Sequence, residues 1–252
     1  MKPRAIYKTE AFTRIELIVV IVVAFVLLSV FIPVNNGGQK KATRFWCVNN
    51  LKVIGTAYRI WSNDNGDRFP ASQSVTNSGW SELLTRANDG FMCWLNYSIM
   101  SNELGQSTRV LVCPADERKP ADDFSNFVSN IHLSYFVGVS SDDTYPQSLL
   151  GGDRNLGSGN KPNPLYGFSP ENGQGNDVAI QTNSKTGPVH WSLKMHSGGN
   201  SVGVGNILLG DGSVQQVTSG SLGLNWQPHF DPTTNWPAGH VPTSPSIRVL
   251  FP

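Results

Sequence analysis

Glu16 is the one ionisable side chain well inside an apolar run, Ala11 to Val34 (AFTRIELIVVIVVAFVLLSVFIPV). A carboxylate at membrane depth costs about 2.5–3.5 kcal/mol on insertion scales, so its chemistry is ion pairing and it calls for a cationic partner. Other residues have the right types for chemistry but the wrong setting. His190, His196, His229 and His240 with Asp211 are metal-ligand types, yet no pair stands at the local spacing of a ligand motif. They read as isolated loop histidines, and no metal is expected. Gly199-Asn200-Ser201-Val202-Gly203 fits G-x-S-x-G, but that elbow needs a strand before it and a helix after it, and Gly-rich flanks supply neither. Asn63-Asp64-Asn65-Gly66-Asp67 offers oxygen ligands, yet Arg68 and Ser74 occupy the places where an EF-hand loop requires Gly and Glu, so the stretch reads as a helix stop. No catalytic residue and no cofactor follow from any of these, and the chain is not expected to be an enzyme.

The elements that would position Glu16 come from the hydropathy pattern. From Ile15 onward the apolar run is about 20 residues, which at about 1.5 Å per helical residue reaches about 30 Å, one bilayer core. A secretory signal has a shorter apolar region and a small-residue cleavage site after it, whereas this run leads into Pro33-Val34-Asn35-Asn36. Lys2, Arg4 and Lys8 before the run place the leader in the cytoplasm and the rest outside. Pro33 and the poor helix formers Asn35 to Gly38 are expected to kink or melt the helix. A second helix is expected from about Lys40 to Ser62, with Cys47, Leu51, Ile54, Tyr58 and Trp61 as its apolar stripe. Lys40, Lys41 and Arg44 form a solvated basic face near the headgroups.

The remaining chain has room for one globular domain. Charged residues make up only 15% and the net charge is +1, which excludes a nucleic-acid signature; 25 glycines and 16 prolines make it rich in turns. Three cysteines in an oxidising compartment imply one bridge and one leftover thiol. Residues 71–108 suggest a short helix or two. Strands are expected at 109–113, 133–139, 187–192, 206–210 and 213–218, and a long surface loop at 140–186. Gly210-Asp211-Gly212 between two apolar runs is a hairpin turn signal. The tryptophans read as core or loop anchors, with a carbohydrate-contact surface as their alternative use.

The basic leader, the small residue Ala11, the block Phe12-Thr13-x-Ile15-Glu16 and a long apolar helix carrying Pro33 resemble the class III signal of type IV pilins and type II secretion pseudopilins. Two positions depart from that pattern: Ala11 stands where Gly is usual, and Arg14 where Leu is usual. Residues 47–70 (CVNNLKVIGTAYRIWSNDNGDRFP), Arg109 to Asp116 and Leu133 to Gly138 are similar to blocks of a Verrucomicrobia-type pilin-like subfamily. Met195-His196 with Asp211-Gly212 resembles its His-spacer-Asp-Gly signature, here with a spacer lengthened by Gly-rich residues 197–205.

The resemblance implies an α+β, pilin-like fold in which a long N-terminal helix packs on a mainly antiparallel sheet. It divides the chain into a leader (1–11), a transmembrane and assembly helix (12–34) and an extracytoplasmic domain (35–252). It further implies cleavage between Ala11 and Phe12 by a prepilin peptidase, methylation of the new amine, and Glu16 as the assembly glutamate. The partners would be that peptidase, like subunits in a helical filament, the inner-membrane assembly platform and the membrane itself, with no nucleic acid. The location would be the bacterial inner membrane as a single pass, with the C-terminal domain in the periplasm or on a filament. Cys47 and Cys113 fall in matched blocks and Cys93 does not, so the expected disulfide is Cys47–Cys113. An alternative function is a membrane-anchored binding or hydrolytic domain that uses the helix only as an anchor.

Overall fold

The computed structural model describes residues 13–31, 36–85, 89–159, 165–181, 189–197, 202–222 and 246–252. The chain divides into two compact units, residues 1–38 and 39–252. In the first unit, helix α1 (Arg14–Phe31) is apolar on every side. Its 18 residues rise about 27 Å. Among the described residues no helix is long and apolar enough to cross a membrane. The apolar positions Ile32, Pro33 and Val34, where a kink is expected, lie outside the described residues, as does the cleavage site Ala11–Phe12.

Helix α2 (Asn36–Asp64) starts earlier than its apolar pattern, because Gly37 and Gly38 are helical rather than part of a break. Its expected stripe is buried: Cys47, Leu51, Ile54, Tyr58 and Trp61, joined by Ala57, all face the core. Gly66 and Asp67 then adopt positive φ (73° and 59°), and the Asp67 N–H donates to Ser62 O at 2.9 Å. This left-handed exit satisfies a terminal carbonyl and stops the helix. A short helix α3 (Cys93–Ile99) and several single 3-10 turns cover the same side of the core.

Eight strands are described: β1 (Tyr135–Gly138), β2 (Leu149–Asp153), β3 (Leu156–Ser158), β4 (Asn176–Gln181), β5 (Val189–Trp191), β6 (Val204–Leu209), β7 (Val214–Thr218) and β8 (Ser246–Phe251). Six of them form one antiparallel sheet in the order β4-β8-β1-β2-β6-β7, and β3 pairs with β5 separately. The second unit is therefore α+β, with its N-terminal helix packed on a six-stranded antiparallel sheet. Tyr135, Val137, Leu150, Leu208 and Leu250 point to the α2 side; Phe136, Leu149, Ile207, Leu209, Val249 and Phe251 point to the other. That second face is covered around Trp191 and Leu156 of the β3–β5 pair. A sheet buried on both faces explains why β1 and β2 are buried at every position, without the polar-out alternation of a half-exposed sheet.

Two expectations are corrected. The segment 109–113 is not a strand: Thr108–Leu111 is a 3-10 turn, capped by extended Val112, whose N–H returns to Arg109 O. The stretch 140–186 is not one surface loop, because it contains β2, β3 and β4. Strand β2 escapes a β-propensity reading through Gly151 and Gly152, which packing demands. A Cβ on Gly152 would lie 2.6 Å from Asn206 O and 2.7 Å from the Phe136 ring.

The β6–β7 hairpin turns at Gly210-Asp211-Gly212. Gly212 has φ 81°, the Asp211 carboxylate accepts from the Ser213 N–H at 2.8 Å, and the Asp211 N–H donates to Pro146 O at 3.0 Å. This turn and Leu208 press against Gly55 of α2, where a Cβ would lie 2.8 Å from Leu208 Cδ1 and 3.1 Å from Gly212 O. We expect Gly55→Ala to destabilise the domain by about 1–3 kcal/mol through overpacking, despite the better helix propensity of Ala. An unchanged urea midpoint would contradict this close approach.

Candidate functional site

Among the described residues, reactive or charged groups come together at the start of α1 and in a sealed cluster where α2 meets the sheet. At the first, Thr13 and Glu16 form a reciprocal cap. The Glu16 carboxylate accepts from the Thr13 N–H at 2.8 Å and from its hydroxyl at 2.9 Å, while the Glu16 N–H donates back to Thr13 Oγ1 at 3.3 Å. This is the capping-box arrangement, Thr-x-x-Glu, which satisfies donors that the first helical turn leaves free. The spacing was legible in the sequence, and it gives Glu16 a partner within its own chain. The side chains from Thr13 to Leu28 are all exposed, among them Ile15 at 74% and Phe25 at 70%.

The second place is built from four separated elements. Cys47 on α2 is joined to Cys113 by a disulfide with Cα atoms 5.1 Å apart, and Cys93 is a buried free thiol. Nearby, the Asn50 side-chain amide donates to Val112 O at 3.1 Å and ties the same two segments. His196, in the turn between β5 and β6, sets Nε2 3.4 Å from Cys113 Sγ and 3.3 Å from Asp153 Oδ2. Asp153 closes β2, and its Oδ2 accepts from the backbone N–H and the side-chain amide of Asn206 on β6, at 2.7 and 2.8 Å. Met195, just before the histidine, holds φ 57°, a left-handed conformation unfavourable for a residue with a Cβ. The Ser197 hydroxyl and the Arg44 guanidinium fix the turn, the latter bonding His196 O at 3.0 Å. Arg44 thus belongs to this cluster rather than to a purely solvated basic face.

Beside it lies a buried ion pair. Arg154 donates from Nε and Nη2 to the two oxygens of Asp116, at 2.6 and 2.8 Å, and its guanidinium stacks 3.4 Å above the Tyr166 ring. Arg118 satisfies the carbonyls of Asn130, Leu133, Pro170 and Pro252 and so binds four segments together. Burial and the neighbouring Arg154 charge pull Arg118 down to about 10, still protonated at neutral pH.

Cysteine, imidazole and carboxylate here do not make a nucleophilic triad. Such a triad uses both ring nitrogens, one toward the nucleophile and one toward the carboxylate; His196 presents Nε2 to both. The sulfur is also tied in a bridge, and Cys47, Cys113, Asp153 and Asn206 are fully buried with His196 nearly so. The chain matches no protein-family model, no curated protein and no solved structure. The site is therefore read from its geometry alone.

His196 is not brought together with Asp211, which sits in the β6–β7 turn, nor is it an isolated loop histidine. His190 lies on β5 opposite Gly157. His229 and His240 lie outside the described residues, as do Gly199, Asn200 and Ser201 of the G-x-S-x-G match. No local sequence pattern groups Asp116, Arg118, Asp153 and Arg154, because their partners are distant in sequence. The only signal was the unusual company of Asp153-Arg154-Asn155 within a Gly-rich stretch.

The Asp116 pair has a pH consequence. Burial pushes the Asp116 carboxyl up, but hydrogen bonds and charge from Arg154, aided by Ser134 and Arg118, outweigh it and hold the group below its ordinary value. A carboxyl depressed in the folded state contributes stability above the unfolded carboxylate pKa of about 3.9, and that contribution is lost as pH falls through the folded value. We expect stability to fall on acidification below about pH 4, and Asp116→Asn to show a shallower acid limb. An identical pH dependence of the variant's thermal midpoint would contradict this.

Proposed function

We propose that the chain is a filament subunit, a pilin or pseudopilin, that assembles through its N-terminal helix into a type IV pilus-like or type II secretion pseudopilus filament. The observation that carries this reading is α1, whose apolar side chains are exposed on every side and which opens on a capped glutamate. An all-round apolar helix must be covered by lipid or by like helices. In this reading the apolar run of residues 12–34, of which α1 is the described part, first sits in the inner membrane, the residues beyond it form a pilin-like domain in the periplasm, and the assembly platform then draws the helix into a bundle of its copies.

Several features support that use. The α2 stripe anchors a rigid domain, a disulfide suits an extracytoplasmic compartment, and the sealed polar cluster suits a structural subunit better than a substrate site. Prepilin peptidase acts between Ala11 and Phe12, and the new amine is methylated. Cleavage leaves the Thr13 amide in place, so the Thr13–Glu16 cap survives processing.

Intact-mass measurement of the purified membrane protein tests the processing step. The expected mass is that of Phe12 to Pro252 with one added methyl group. A mass showing Met1 to Pro252 intact, or a cut beyond Val34, would contradict the proposal.

A further inference from the structure

We infer that Cys47, Cys113, His196 and Asp153 form a redox-gated site for a divalent metal ion of zinc-like chemistry, closed when the disulfide is present and competent when it is reduced. The two sulfurs and a ring nitrogen of His196 all lie within 4.8 Å of one another. His196 Nε2 is directed at Cys113 Sγ, 3.4 Å away, and Asp153 stands beside the same nitrogen at 3.3 Å. The two sulfurs and the imidazole supply three ligands, and Asp153, outside that 4.8 Å group but against its ring nitrogen, would supply the fourth of a tetrahedral zinc set; the burial of all four residues suits a structural site with no open position.

The surroundings resemble a prepared ligand shell. Asn206 orients the Asp153 carboxylate with two hydrogen bonds, as outer-shell partners of metal ligands do. Asp153 Oδ1 is buried and has no hydrogen-bond partner among the described residues, so the carboxylate keeps unused acceptor capacity. Met195, packed against the core, holds a left-handed backbone immediately before His196. In the bridged state the sulfurs cannot serve as thiolate ligands, so the bridge and the ion exclude each other.

The exchange balances with a dithiol as reductant. The dithiol gives two electrons and two protons; the Cys47–Cys113 bond breaks, two protein thiols form, and the reductant's sulfurs join each other. A divalent ion then displaces both thiol protons to solvent and is held by two thiolates, His196 and Asp153. The inference is independent of filament assembly and concerns the globular unit alone.

Cobalt(II) is the probe, added anaerobically to the full chain in detergent after reduction with a dithiol and removal of the reductant. The reduced chain should bind one equivalent, with thiolate-to-cobalt charge-transfer absorption and tetrahedral d–d bands, and the oxidised chain none. Cys93→Ala should behave like the parent. Asn206→Ala, which removes the side-chain amide that orients Asp153, should weaken binding about 10–100-fold. Unaltered cobalt spectra in Cys113→Ala or His196→Ala would overturn the assignment. So would a reduced chain that binds no cobalt, or one that loses its helical circular dichroism and does not regain it with the ion.

Discussion

Cells expressing Glu16→Ala should insert and process the protein normally yet carry none of it in sheared surface filaments. Insertion cannot be the point of failure, since replacing a carboxylate by a methyl group makes the helix more apolar and spares about 2.5–3.5 kcal/mol on insertion scales. The outer domain should be untouched, because it is a separate compact unit. What is lost is a charge that, in the proposed filament, meets the Phe12 amine of a neighbouring subunit and leaves a mis-registered subunit with an unpaired charge in hydrocarbon.

The Thr13–Glu16 cap supplies a competing cause of failure and a way to separate it. Loss of a capping side chain costs about 0.5–2 kcal/mol of helix stability. Gln keeps the capping-box hydrogen bond but not the charge. If the charge pair governs assembly, Glu16→Gln should fail as completely as Glu16→Ala. If the cap governs it, Glu16→Gln should assemble near the parental yield. Parental yield of Glu16→Ala in the sheared fraction would remove Glu16 from the assembly contact altogether.

The second large effect concerns the bridge. Cys47 and Cys113 are 66 positions apart, and closing a loop of that size is worth about 4 kcal/mol in the chain-entropy account. The bridge joins the buried stripe of α2 to the segment that carries Asp116 and Arg118, so its loss should loosen both the helix contact and the buried ion pair. The double variant Cys47→Ala, Cys113→Ala is expected to melt about 8–16 °C lower, at about 2–4 °C per kcal/mol for a domain of this size. A shift of only a degree or two in calorimetry, or non-reduced peptide mapping that links Cys93 to either cysteine, would contradict this role.

Legibility in the sequence followed the range of the interactions. The α2 stripe repeats within one helix, and Asp211-Gly212 is a local turn between two apolar runs, so both could be read from neighbouring residues. Val110, Leu111 and Val112 have strand-like side chains, but the first two lie in a 3-10 turn and only Val112, its cap, is extended. Strand β2 has glycine at two of its five positions because Phe136 and the β6 backbone approach too closely for side chains, and strand propensity cannot register a requirement imposed by a neighbour. The same limit hid the sealed cluster: His196 finds Asp153 and Cys113 across the fold, whereas its only sequence association, the resemblance to a His-spacer-Asp-Gly signature, is with Asp211. The Thr13–Glu16 cap is the opposite case, a local signal overshadowed by the apolar run around it.

If α1 is an assembly helix, the chain should be visible in filaments by electron microscopy of sheared surface fractions labelled with antibody to residues 71–252. Thin filaments decorated along their length are expected, absent from cells lacking the prepilin peptidase. Label confined to membrane fractions, with the same distribution whether or not the peptidase is present, would contradict it.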